Sequence, residues 1–238
     1  LPLPRTVFAH GWWTNTGEKM SKSKGNFVDP VAMTNRYGVD AYRYFLLREM
    51  PFGQDGDFSE RALIGRINND LGNDLGNLLH RTLTMIEKYF DGRVPAASEL
   101  EPDNLRARAT SELRDETTRL EGGVDPIMAE LQFSRALDAI WGVVRQANRY
   151  VEETSPWALA KSDATKPELA TVMYSLAEVL RIVSLWLWPF MPGKMEEMRR
   201  QLSLGPVEGP LDEKTTWGGL ATGTRVAKGE PLFPRIQE

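Results

Sequence analysis

With 238 residues, 41% hydrophobic and 26% charged, the chain has the balance of an ordinary globular protein and enough length for one large domain or two small ones. Its 29 Lys and Arg against 33 Asp and Glu leave a formal charge of -4, so no general electrostatic attraction to nucleic acid operates and any RNA recognition must rest on local groups. The absence of cysteine excludes a disulfide framework and thiolate metal sites and fits a reducing compartment, while His10 and His80 are poor metal ligands without others.

The longest apolar stretch, VLRIVSLWLWPFMP, is interrupted by Arg181 and falls short of the roughly 18 apolar residues of a membrane span. The opening LPLPRTVFAHG lacks the basic start, apolar core and small-residue cleavage site of a signal peptide. It also lacks an initiator methionine, so a fragment or a processed product is expected.

Residues 1–28 read as extended, with β-branched and aromatic residues on both sides of a hairpin turn at Asn15-Thr16-Gly17. Asp29-Pro30 supplies a cap and a first-turn proline for a short helix ended by Gly38. Asp40 opens a second helix, stopped by Pro51. Residues 1–58 thus form a small β–α–α unit.

From Ser59, apolar residues between Leu63 and Tyr89 recur at three- and four-residue spacing, which predicts a helix of about thirty residues ended by Asp91-Gly92. Further helices are expected over 104–121, 125–153 and 167–188, broken at Gly122-Gly123, Ser155-Pro156 and Pro189, with a short one from Gly193 to Leu204. Long helices with short connections predict an antiparallel bundle over 59–204 and a mainly α fold overall. The tail, 205–238, is rich in Gly and Pro and ends EPLFPRI, apolar enough to dock back on the body. Trp141, Trp186 and Trp188 sit in apolar helical patterns and are expected in the core.

Between the hairpin and the first helix lies EKMSKSKGN, three lysines and two serines in nine residues. Lysine ammonium groups, serine hydroxyls and closely approaching backbone N–H groups are what a polyphosphate needs, and Gly25 lets such a loop reshape around a ligand. For an arbitrary lysine–serine cluster, a solvated turn is the simpler reading.

The order is not arbitrary. Lys19-Met20-Ser21-Lys22-Ser23 resembles the second signature of class I aminoacyl-tRNA synthetases, and the downstream GNFVDP and YGVDAYRYFLLRE resemble that family too. Within it, NLLHR, YVEETSPWALAK and EPLFPRI make nearly the whole chain, Phe8 to Ile236, similar to the methionyl-tRNA synthetases. That resemblance implies the C-terminal part of such an enzyme: the end of the catalytic domain with a stem-contact unit (1–58), a helical anticodon-binding domain (59–204) and the tail (205–238).

It also implies roles. The family is cytoplasmic and activates methionine with ATP (with Mg2+) before transfer to tRNA-Met. Lys22 is the candidate catalytic cation on the departing phosphates. Lys19, Met20, Ser21, Lys22 and Ser23 form the ATP-binding loop, and Lys24 is a candidate helper. Asn77, Arg81 and Trp157 are the candidate readers of the CAU anticodon. Asn77 and Arg81, at i and i+4, share a helix face while Leu78, Leu79 and Leu83 pack inward; spacing alone equally suits a solvated edge. Trp157 after Ser-Pro equally suits a core plug. Arg145, Arg149 and Lys161 are candidates for phosphate contacts, with solvated surface the simpler reading.

One departure is large. The family's His-Ile-Gly-His type signature does not occur, His10 being followed by GWW, and the methionine pocket and metal-binding insertion are missing. These 238 residues alone are therefore expected not to activate methionine. Two alternatives stay open: a class I synthetase for leucine, valine, isoleucine or cysteine, or a non-catalytic tRNA-binding module with a vestigial loop.

Overall fold

In the computed structural model, residues 3–4, 6–9, 11–15, 17–51, 53–209 and 214–237 are described. Strand β1 (Trp13–Asn15) pairs antiparallel with β2 (Glu18–Lys19), Thr14 opposite Lys19, across a turn in which Gly17 takes φ 74°. Thr16, named in the expected turn, lies outside the described residues, as does His10.

Helix α1 (Pro30–Tyr37) starts as its cap predicts: the Asp29 side chain accepts from the Val31 N–H, and proline occupies the first turn. Gly38 ends it at φ 87°, a conformation open to glycine, and α2 (Val39–Glu49) begins at once. A third strand that alternation did not predict, β3 (Gly56–Phe58), lies parallel to β1 with Trp13 opposite Gly56. Its three residues are too few to show alternation, and only pairing with β1 makes it a strand. Phe45 of α2 seals the sheet, 5.9 Å from the Trp13 ring and 5.7 Å from that of Phe58.

Ser59 caps α3 (Glu60–Arg66), its hydroxyl accepting from the Ala62 N–H. The expected thirty-residue helix follows, but not as one α-helix. Ile67–Gly76 winds as a π-helix, Asn77 N–H reaching back to the Gly72 carbonyl, before α4 (Asn77–Phe90) resumes. Apolar spacing reads the same through both because Ile67, Leu71 and Leu75 still fall on the buried side. Asp91, at φ 50°, closes α4.

Helix α5 (Leu105–Ala129) overturns one expected break, running through Gly122-Gly123 and Pro126 to stop at Glu130, with Leu131 at φ 59°. Two glycines weaken a helix by about 1 kcal/mol each. Here they lie exposed, where water can serve the Gly122 carbonyl that Pro126 leaves without a donor. Leu120 and Val124 are buried, and that packing outweighs the local preference. Helix α6 (Phe133–Thr154) therefore starts later than predicted. Ser155 at φ 48° turns the chain into α7 (Pro156–Leu159).

Helix α8 (Lys166–Leu187) is the centre of the bundle, buried on nearly every side from Thr171 onward. By length and composition it could cross a membrane, but 94% of its apolar window is buried inside the fold. Trp141 and Trp186 are core as predicted, and Trp188 packs against the core half-buried. Helix α9 (Pro192–Gln201) completes a mainly α fold with a small three-stranded sheet.

The tail returns across this bundle. Glu178, fully buried in α8, accepts from the backbone N–H groups of Gly218 (2.7 Å), Gly219 (2.9 Å) and Leu220 (3.0 Å). Arg181 donates twice to the same carboxylate, at 2.8 and 2.7 Å, and to the carbonyls of Lys214 and Thr216. At the far end, Asn68 exchanges two hydrogen bonds with the Ile236 backbone, at 3.0 and 2.8 Å. Replacing Glu178 with Gln turns one carboxylate oxygen into an NH2 donor, set against either the Gly218 and Gly219 N–H groups or that of Leu220, and removes the charge that pairs with Arg181. Urea unfolding of Glu178→Gln is expected to show a loss of about 3–5 kcal/mol, the cost of breaking a buried pair from one side; a loss below about 1 kcal/mol would mean that the tail docks independently of this carboxylate.

Candidate functional site

Two constellations emerge, one at each end of the chain's function-bearing residues. The signature loop leaves β2 at Lys19. Met20 turns inward, half-buried against the core, and pins the loop's first foot. Asn26 closes the second: its Oδ1 accepts from Ser21 N–H (2.8 Å), its Nδ2 donates to the Lys19 carbonyl (3.2 Å), and its own carbonyl accepts from Asn15 Nδ2 (2.9 Å). Between the feet, Gly25 at φ 71° returns its N–H to the Lys22 carbonyl, and the hydroxyls of Ser21 and Ser23 lie 2.8 Å apart.

The three lysines stay at the surface. Lys19 Nζ sits 4.2 Å over the Trp12 ring, Lys22 Nζ 5.5 Å over Phe27, and Lys24 Nζ 3.0 Å from Glu18 Oε2. Mobile ammonium groups, two hydroxyls and a glycine turn on fixed feet can gather around a chain of phosphates. Asn26 was not among the predicted residues. Its only sequence signal is an amide side chain just after the loop glycine.

The second constellation lies on the bundle. Asn77 and Arg81 project from the first turns of α4, with Leu78, Leu79 and Leu83 buried beneath them as predicted. Asn77 is exposed. Arg81 is half-buried, its Nη1 2.7 Å from Glu152 Oε1 of α6 and its guanidinium 5.7 Å from the ring centre of Trp157. Trp157 is 40% exposed, so it is not a core plug. The left-handed turn at Ser155 buries Pro156 and turns the indole outward beside Arg81.

A groove of about 500 Å³ runs beside Arg81, lined by Asp74, Asn148, Arg149, Glu152 and Glu153. Asn148 Nδ2 donates to the Asp74 carbonyl at 3.1 Å, tying α6 to the π-helical turn. Burial, and then the neighbouring Asp70 charge, push the Asp74 carboxyl up from its ordinary value, with Arg145 and Trp141 pulling it down. Glu152 was also missed by sequence reading, because nothing local distinguishes it from the solvated acids of α6. Arg145, Arg149 and Lys161 are all exposed. Chemically, the site offers a donor-only guanidinium, a carboxylate that holds it, an exposed amide one turn away and an aromatic face.

The family model described as tRNA synthetases class I (M) matches residues 1–83, and that of the anticodon binding domain of methionyl tRNA ligase matches residues 94–238. A methionine–tRNA ligase of Caldanaerobacter subterraneus is 52% identical over 241 residues, which span 99% of this chain and 36% of the relative. That of Bacillus subtilis is 45% identical over 241 residues, 100% of this chain and 35% of the relative. Among solved structures, Mycobacterium tuberculosis methionyl-tRNA synthetase in complex with methionyl-adenylate superposes with TM-score 0.88 at 40% identity, over 99% of this chain and 45% of that one. The chain thus spans 35–37% of the length of such curated relatives. Both halves match models of one family, and with relatives of the same name along the full chain the leucine, valine, isoleucine and cysteine alternatives fall away: the chain belongs to the methionyl-tRNA synthetases, among the class I tRNA synthetases.

Proposed function

We propose that this chain is the part of a methionine–tRNA ligase that closes on the phosphates of ATP and reads the CAU anticodon of tRNA-Met. The observation that carries the anticodon reading is the juxtaposition of Arg81 with the exposed face of Trp157. Cytosine, the first anticodon base, offers the acceptors N3 and O2 on its pairing edge, whereas uracil presents an N3–H donor there. Arginine can only donate, so it suits cytosine and is opposed by uracil. The indole face supplies the platform that an unstacked base needs. Three side chains can thus read a base without a basic surface, as a formal charge of -4 requires.

The loop serves the other substrate. When the methionine carboxylate attacks the α-phosphate, negative charge grows on the departing pyrophosphate, and a cation that meets it there stabilises the transition state more than the ground state. Lys22 takes this role, with Lys19, Met20, Ser21 and Ser23 shaping the loop. Among the described residues no three His, Cys, Asp or Glu side chains gather to hold a metal ion; on this reading Mg2+ enters with ATP as part of the substrate.

The anticodon reading is tested by titrating the chain with CAU and UAU stem-loops at two salt concentrations. Trp157→Ala is expected to weaken CAU binding by about 1–3 kcal/mol, the worth of one base stack. Arg81→Gln should weaken it as well and narrow the preference for cytosine, while Lys161→Ala should leave that preference alone and change only the salt dependence. Full cytosine preference in Arg81→Gln would sink the assignment. Binding must also exchange Glu152 for the base. Glu152→Ala is therefore expected to strengthen binding to both stem-loops by up to about 1 kcal/mol, the usual ceiling for an exposed pair.

For the loop, Lys22→Ala in the complete enzyme is expected to lower the rate of ATP–pyrophosphate exchange by more than it weakens ATP binding, and Lys22→Arg to restore it only in part. Equal losses would make Lys22 a ground-state contact. The 238 residues alone, which lack the His-x-Gly-His signature, are expected to show no exchange.

A further inference from the structure

Two large aromatic side chains flank the signature loop. Trp12 is 62% exposed and Phe27 is 44% exposed. Each ring carries a loop lysine: Lys19 Nζ at 4.2 Å on Trp12 and Lys22 Nζ at 5.5 Å on Phe27. Both rings belong to the fixed frame rather than to the loop. Trp12 is held on the sheet, its N–H donating to Asp55 Oδ1 at 2.6 Å and its carbonyl accepting from Gly56 N–H at 2.9 Å. Phe27 follows Asn26, the residue that ties both feet of the loop.

We propose that Phe27 and Trp12 are positioning residues that park Lys22 and Lys19 on their ring faces while the loop is empty, so that ATP phosphates must draw the lysines off the rings for the loop to close. This rests on the reading of the loop as the phosphate clamp. With Lys24 on Glu18, every loop lysine then has a resting partner, and the open loop has a defined conformation. A cation–π contact at an exposed site is worth about a two- to fivefold bias, enough to hold an empty loop open yet far below the attraction of a triphosphate. The parked contact stabilises the ground state and is lost in the transition state, so it slows activation by about its own worth. In return, the ammonium groups are kept from swinging onto other anions.

The test is ATP–pyrophosphate exchange by the complete enzyme. Phe27→Leu keeps apolar bulk without a π face and is expected to raise kcat/KM for ATP about two- to fivefold with KM for methionine unchanged. Phe27→Tyr keeps the face and should match the parent. Trp12→Leu and Trp12→Phe should repeat the pattern through Lys19. Phenylalanine with increasing ring fluorination at position 27 should raise the rate in graded steps, and it serves also if a leucine variant misfolds. In a Lys22→Ala background, Phe27→Leu should do nothing more. A flat or falling rate in Phe27→Leu and the fluorinated series, or equal behaviour of Leu and Tyr, overturns the proposal. The underlying reading fails separately: if Lys22→Ala leaves exchange intact, the loop is no phosphate clamp, whereas a costly Lys22→Ala beside a flat Phe27 series removes only the parking role.

Discussion

A π-helical turn is wider and packs its own backbone less well than an α-helical one, so ten consecutive residues of it persist only where neighbours grip each turn. Ile67–Gly76 is gripped from three sides. Helix α2 reaches it through Tyr44, whose hydroxyl donates to Asp70 Oδ2 at 2.8 Å, and through Glu49, which Arg66 of α3 bridges to Asp70. The tail reaches it through Asn68 and by lying against two glycines: a side chain on Gly72 would meet the Phe233 carbonyl at 3.6 Å and one on Gly76 the Phe233 backbone nitrogen at 4.0 Å, beside the segment's own Ile67 and Leu71 carbonyls at 3.3 and 3.0 Å. Helix α6 reaches it through Asn148. Where this segment ends, α4 begins with Asn77, so the phase of the π-helical turns sets where Asn77 and Arg81 point. Helix α2, the tail and the face of α4 that carries Asn77 and Arg81 are thereby held in one frame.

The two proposed sites share a physical device despite different ligands. In each, a cation rests over an aromatic ring: Lys19 on Trp12, Lys22 on Phe27 and Arg81 on Trp157. Anionic partners hold two more contacts in place, Glu18 for Lys24 and Glu152 for Arg81. These interactions are individually weak at exposed positions, so a phosphate chain or a stacked base can replace them. A strong resting partner would have made the cation structural, as Glu178 does for Arg181, which is buried and committed to holding the tail.

Capping chemistry, apolar periodicity and the signature loop are local properties, and the residues alone determined them. Asp29-Pro30, Gly38, Ser59 and Asp91 mark helix ends because each acts within a few residues of itself. The bundle followed from spacing, the loop from its residue types and its resemblance to the class I signature, and the shared face of Asn77 and Arg81 from their i, i+4 placement once the resemblance had singled them out. Tertiary structure decided the rest, because each remaining feature depends on a partner distant in sequence. Strand β3 exists through β1, the π-helical turns through the tail and α6, and the unbroken α5 through packing that overrides two glycines and a proline. Arg81 meets Trp157 and Glu152 only because α4 and α6 lie side by side with a left-handed turn at Ser155 between α6 and the indole. No spacing rule encodes that meeting, since it is set by how helices pack.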